Sequence, residues 1–279
     1  MKKEVKLIKK IKRLLRRLKC PRWLHRFGPK TYEFYEHITA LLMGHYCRLS
    51  YRRVVYFFDL VGIINCPSKS ALQYTASRIS NALWNKMLEL TCGNKQSIVA
   101  LDATGFSRIN PSYHYLKRID GKLPKTPVKL SAIFDVKKKR FCYAKIHVLP
   151  AHDIKDAKPL ISKCNAKILV ADKGYDAKWL HEYLSKRDIE AHIPIRRYGK
   201  AVHSMWSRRR IVAEKFKLKI YHKRELIESG FGSLKRRFGG SVNSKKAKTI
   251  KAELYGRLIC HNLFYGFIET WDRAVSIVL

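Results

Sequence analysis

The chain has 279 residues, of which 46% are hydrophobic and 11% aromatic, enough for one large or two modest domains with a real core. Lys and Arg number 59 against 21 acids, a formal net charge of +38. This excess excludes an ordinary metabolic enzyme as the default: self-repulsion would oppose compaction unless a polyanion neutralised it, so nucleic acid is the first partner to consider and an anionic membrane surface the second.

In chain order, residues 5–18 place Val5, Ile8, Ile11, Leu15 and Leu18 at helical spacing with Lys and Arg elsewhere, a basic amphipathic helix. Its apolar stripe suits docking on its own domain, and its basic face suits solvent or phosphate. The basic start resembles a secretory signal but lacks an uninterrupted apolar core and a small-residue cleavage site, so it is read as part of the mature protein. Residues 31–92 read as helical throughout. Within them YRRVVYFFDLVG, a turn containing Pro67, and SKSALQYTASRISNAL capped by Ser68 have the outline of a helix-turn-helix. Its second helix would offer Lys69, Gln73, Tyr74 and Arg78 to DNA; a plain helical bundle gives the same spacing.

At Cys92, Gly93 and Asn94 the periodicity changes to that of strands. SIVALDATGF runs to Asp102, VKLSAIFDV and RFCYAKIHVLP flank a lysine turn, KILVA stops at Asp172, and GYDAKWLHEYLSKR reads as a helix. This order predicts an α/β catalytic domain over 94–279 after a helical DNA-binding region over 1–93. The C-terminal stretch IKAELYGRLICHNLFYGFIETW reads as a helix that packs on the sheet.

The seven cysteines, at 20, 47, 66, 92, 142, 164 and 260, form no CxxC pair, so neither a disulfide framework nor a zinc ribbon is encoded and a reducing cytoplasm is expected. The longest apolar stretches are interrupted, at Asp59 and at His261 and Asn262, and fall short of the ~18 residues a membrane span needs, so no transmembrane helix and no membrane partner are expected.

Two features carry chemistry. Asp102 and Asp172 each close an apolar run, where α/β sheets place functional groups, and two carboxylates on neighbouring strands would want a divalent cation. Each could instead cap the turn that follows it. In YHKRELIESGFGSLKRRFGG, a helix advancing 100° per residue sets Tyr221, Arg224, Glu228 and Lys235 within about one 60° sector. One face then carries an acid among cations and a phenol, which suits a phosphodiester reaction; an ordinary amphipathic helix with an Arg224–Glu228 ion pair has the same spacing.

The run Tyr221, Arg224, Glu228, Lys235 resembles the Y-x2-R-x3-E-x6-K motif of prokaryotic insertion-sequence transposases of the DDE class. ALDATGFS looks like that family's first catalytic strand, VKLSAIFDV with VLPAHDIKDAKPL like its strand pair and HD-containing turn, and VADKGYDA like its second aspartate segment, over roughly residues 96–240. The resemblance implies a ribonuclease-H-like mixed sheet flanked by helices, with Asp102, Asp172 and Glu228 as a DDE triad holding two Mg²⁺ or Mn²⁺ ions, and Tyr221, Arg224 and Lys235 on phosphates of the element's terminal nucleotides. Hard oxygen ligands suit Mg²⁺ rather than zinc. Glu225 could compete with Glu228, but the motif favours Glu228. Asp153 matches the HD turn and is read as supporting the fold, Asp176 as a helix cap, and His147 and His152 are given no role.

The basic stretch between Asp172 and Glu228 is read as a loop or short hairpin beside DNA, with Arg208, Arg209 and Arg210 on phosphates and Trp206 stacking or packing. Arg236, Arg237, Lys245, Lys246 and Lys248 extend the cationic track. The function implied is a transposase that binds terminal inverted repeats through its helical region, cuts the element ends and joins their 3′-hydroxyls to target DNA, as a homodimer on DNA in the cytoplasm, associated with the nucleoid. Two other readings differ in class: a catalytically silent helix-turn-helix protein derived from a transposase, and a metal-dependent nuclease without strand transfer.

Overall fold

The computed structural model describes residues 3–23, 27, 29–93, 96–109, 127–196 and 207–278. The chain forms two compact units, one of Met1–Thr91 with Arg236–Leu279, the other of Cys92–Lys235. Among the described residues no helix is long and apolar enough to cross a membrane.

The first unit is helical. Helix α1 (Lys3–Arg17) buries Ile8, Ile11, Leu14 and Leu15 and packs on α2 (Phe34–Tyr46), as its stripe of apolar residues dictates. Helix α3 (Tyr51–Val61) starts where Ser50 Oγ accepts the Arg53 N–H and stops at Gly62, whose φ of 62° is the left-handed turn that glycine takes without strain. Helix α4 (Lys69–Arg78) starts where Ser68 Oγ accepts the Ala71 N–H. It ends earlier than its sequence pattern predicts. Ile79 is extended and Ser80 Oγ accepts the Leu83 N–H, so a new helix, α5 (Asn81–Cys92), begins there. The long C-terminal helix lies in this unit and packs on α2 and α4, where the sequence reading put it against the sheet. Gly256 permits the contact with α2: a Cβ there would fall 2.3 Å from the His45 ring.

The second unit is mixed α/β. Strands β1 (Ile98–Arg108), β2 (Val128–Asp135), β3 (Arg140–His147), β4 (Ile168–Ala171) and β5 (Glu190–His192) run in the order β3-β2-β1-β4-β5, antiparallel across β1, β2 and β3 and parallel from β1 through β4 to β5. A mixed sheet flanked by helices is the expected class.

One irregularity decides which side chains serve which face. Ile133 pairs Tyr143, but Phe134 pairs Phe141, so Cys142 is an extra residue in β3. Ile133 and Tyr143 join the core under α6 (Ile154–Ile161) and α7 (Lys178–Ser185). Phe134 and Phe141 meet edge to face at 4.9 Å, and Phe141 stacks on Phe231 of α10 (Glu225–Phe238) at 5.5 Å. Gly230 lets that helix approach, since a Cβ would stand 2.9 Å from Phe134 Cε2.

Candidate active site

Asp102 is the fifth residue of an eleven-residue strand, so β1 continues well past the end of its apolar run; beyond Leu101 only Phe106 is fully buried, between exposed Gly105 and Ser107. Asp172 follows β4 directly. The last in-register pair of β1 and β4 is Leu101 with Ala171, which sets the two aspartates side by side. Glu228 comes from the first turn of α10.

The segment carrying the third acid is not one continuous α-helix. It breaks into α9 (Leu218–Tyr221), a 3₁₀ turn at His222–Arg224 that packs against β1 and β4, and α10. Arg224 ends the tight turn and reaches both acids: its Nη1 donates to Glu228 Oε1 at 2.5 Å and lies 3.7 Å from Asp102 Oδ2. Its guanidinium carbon stands 5.8 Å from the Tyr221 ring centre, and Tyr221 rests on Phe216 at 5.4 Å. The Lys235 ammonium lies over the Phe106 ring of β1 at 5.4 Å. Glu225 is exposed beside His222, 3.5 Å away, and takes no part in this cluster.

Burial raises the Asp102 pKa above the ordinary carboxylate value; the Ala103 N–H and Arg224 oppose the rise, and Glu228 and Asp172 add to it. Arg224 is held charged more firmly than usual, since its bond to Glu228 outweighs the effect of burial. Its Nε is buried with no hydrogen-bond partner among the described residues. Asp102 and Glu228 share one guanidinium, and Asp172 stands beside Asp102 at the end of the neighbouring strand, an all-oxygen donor set of the kind a hard divalent cation takes. They stand more widely than the one three-ligand group with atoms within 4.8 Å among the described residues, Cys92, Asp135 and Cys142. That buried group suits Mg²⁺ poorly: burial and the neighbouring Cys92 push the Cys142 thiol well above its usual value, and the Lys138 N–H already donates to Asp135.

The turn after β4 is held by a residue that sequence reasoning missed. Arg196 donates from Nε to Lys173 O at 3.1 Å and from Nη2 to Gly174 O at 3.0 Å, while its backbone N–H donates to Asp176 Oδ2 at 2.7 Å. Asp176 also meets His181 Nε2 at 2.9 Å, so it is a tie between elements and not the helix cap expected of it. Only the run of Lys and Arg around it marked this stretch, and twenty intervening residues hide the contact from any local pattern.

On the far side of the sheet pair, Asp156 is fully buried and accepts from Ser131 Oγ at 2.7 Å, with His147 Nε2 at 2.7 Å and Lys145 Nζ at 3.0 Å. Lys129 links it to Asp153, the aspartate of the HD turn, at 2.7 Å. These ties fix β2, β3 and α6 behind the site.

The sequence-derived DNA contacts are dispersed. Arg208, Arg209 and Arg210 fall in α8 (Ser207–Lys215), with side chains outside those described, and Trp206 lies outside the described residues. Lys69 and Arg78 are the first and last residues of α4, about half a helical rotation apart, and do not share a face. Lys69 and Gln73 line one cavity of this unit; Arg78 and Tyr74 line another with Tyr32 and His37.

Residues 93–263 match the family model described as "Transposase DDE domain". No curated protein matches the chain. Among solved structures it is similar to the one described as "Cryo-EM structure of piggyBac transposase synaptic complex with hairpin DNA (SNHP)", at 11% identity, over 93% of this chain and 72% of that one, with a TM-score of 0.47. The family match spans more than half of the chain and takes in Asp102, Asp172 and the whole Tyr221–Lys235 segment, and by it this protein belongs to the DDE-domain transposases.

Proposed function

We propose that the chain is a DNA transposase of the insertion-sequence kind, which binds terminal inverted repeats, cuts the element ends and joins the 3′-hydroxyls to target DNA. The observation that carries this reading is the meeting of Asp102, Arg224 and Glu228, from a strand, a 3₁₀ turn and a helix, beside Asp172. Asp102, Asp172 and Glu228 would hold two Mg²⁺ or Mn²⁺ ions. When bound, such ions polarise the attacking oxygen and offset charge on the leaving one.

The protein's own groups position the DNA. Arg224 holds Glu228 through Nη1 and stands 3.7 Å from Asp102, so one guanidinium orients the acid and adds positive charge beside the place a phosphate would take. Tyr221 backs that guanidinium, and Lys235, at the far end of the same segment, adds a point charge. The +38 net charge supports double-stranded DNA as partner, with a homodimer on paired ends and a cytoplasmic, nucleoid-associated setting as further parts of the proposal.

The test is incubation of the purified protein, with Mg²⁺ or Mn²⁺ and with EDTA, on labelled DNA carrying the repeats that flank its gene. Metal-dependent nicks at the repeat boundary, absent in Asp102→Ala and Glu228→Gln, are expected. Binding without cleavage would instead favour the silent DNA-binding protein, and cleavage without joined products the nuclease.

A further inference from the structure

The helical unit contains a cavity of about 990 Å³ whose lining includes seven Lys and Arg residues and one carboxylate. One wall is the start of α3, Ser50–Arg53, with Arg48 before it; a second is the start of α4, with Lys69 and Gln73; the third is the stretch holding Lys245 and Lys246. The first turns of α3 and α4, eleven and ten residues long, thus face one space together with five basic side chains beside Lys69. Unpaired N–H groups and the helix dipole make such ends attractive to anions, and the surrounding charges add to that.

The single carboxylate among the lining residues is already committed. Glu253 and Arg257 are each 5% exposed and bonded at 2.5 Å, and Glu253 also accepts from the N–H groups of Asn243 (3.0 Å) and Ser244 (2.9 Å). Arg257 in turn donates to Gly239 O at 3.0 Å and Ser241 O at 2.9 Å. This buried pair fixes the third wall and leaves no acid to neutralise the rim. Among the described residues no ion pair joins Arg48, Arg52, Arg53, Lys69 or Lys246 to a carboxylate. Positive charge gathered in this way, with the one lining carboxylate already committed to Arg257, is costly unless an anion with several charges completes it.

We propose that this cavity is a phosphate-binding cleft for the backbone of duplex DNA, gripped by Arg48 before α3, Arg52 and Arg53 in its first turn, Lys69 at the start of α4, and Lys245 and Lys246. It rests on the reading of the protein as DNA-processing, and it places the main grip of the helical unit at the starts of α3 and α4, away from Arg78. These contacts add affinity without reading sequence.

The experiment is fluorescence anisotropy of a labelled duplex of about 30 bp and arbitrary sequence, titrated with full-length protein in EDTA across a salt series. Wild type is compared with Arg52→Ala/Arg53→Ala, with Lys245→Ala/Lys246→Ala, and with the charge-matched Lys163→Ala/Lys167→Ala, two exposed lysines of the α/β unit. Each cleft pair should reduce the slope of log K against log salt by about two and weaken low-salt binding by about tenfold or more, and the control pair should leave the slope in place. Circular dichroism and thermal unfolding establish that the variants fold. An unchanged slope in both cleft variants, or an equal loss in the control, overturns the cleft while the transposase reading stands; a wild type that binds no duplex overturns both.

Discussion

Asp102 and Asp172 leave adjacent parallel strands at the same level, each following directly on the Leu101–Ala171 pair. Neither depends on loop conformation for that relationship, because it is set by the β1–β4 register. Glu228 arrives separately on α10, and Arg224 spans the gap.

The raised pKa of Asp102 has a consequence for stability. A carboxyl whose folded value lies above its unfolded value binds its proton more tightly when folded, so the protein without metal loses stability as pH rises through that window. Asp102→Asn removes this dependence. Thermal unfolding in EDTA from about pH 4 to about pH 7 should show a higher Tm for the variant at the upper end, where 1 kcal/mol corresponds to about 2–4 °C at this size. Added Mn²⁺ should raise the wild-type Tm and leave that of the variant nearly unchanged.

Two glycines of α10 should respond oppositely to alanine. At Gly230 the new methyl meets the Phe134 ring at 2.9 Å, and overpacking of that kind costs ~1–3 kcal/mol. Gly232 faces open space, so Gly232→Ala should stabilise by up to ~1 kcal/mol through helix propensity. Urea unfolding of the two variants gives the comparison directly, and equal effects would remove the role assigned to Gly230.

Arg196 acts on Asp172 through the turn it braces. Arg196→Ala should lower Mn²⁺ affinity by roughly 10-fold, as loss of an outer support does at metal sites, with Tm little altered. Arg196→Lys offers one point donor where two carbonyls need a fork, so it should recover only part of the loss. Calorimetric titration with Mn²⁺ separates the three proteins.

Asp156 is the sharpest test of the packing behind the site. Burial alone would raise its pKa, but the bonds from Ser131, His147 and Lys145 outweigh that and hold it below the usual carboxylate value. Its contribution to stability is therefore present above the unfolded carboxylate pKa and lost as pH falls through the lower folded one. Asp156→Asn should destabilise by about 1–3 kcal/mol, since a neutral amide at this buried position cannot accept from Ser131, His147 and Lys145 as the carboxylate does. An acid titration of the wild type and a denaturant titration of the variant check the two statements.

The sheet was legible because apolar runs mark strands irrespective of what they pair with, and the acids stood out as charges at the ends of those runs. Other features depend on distant partners. The continuation of β1 beyond Asp102 has Phe106 as its single fully buried residue, and the break at Ile79 and Ser80 lies inside a helical pattern that only the Ser80 cap interrupts. The C-terminal helix is apolar enough to suit either partner, and its contacts with α2 and α4 decide the matter. Arg196 and the Arg52–Arg53 pair looked like members of a general basic background; what distinguishes them is the carbonyls and the cavity they meet.

The extra residue at Cys142 lets two neighbours in sequence serve the same face. Strands count their side chains in twos, yet Cys142 and Tyr143 both belong to the core under α6 and α7, while Phe141, on the other side of the irregularity, meets Phe231. Because Phe141 opposes Phe134 and Tyr143 opposes Ile133, removal of Cys142 would leave each on its present face and close the ladder into regular pairs. The loss would fall on the core, which gives up one buried thiol side chain, and the aromatic seat of the helix that carries Glu228 would be kept, so a protein shortened by this one residue should still present its third acid.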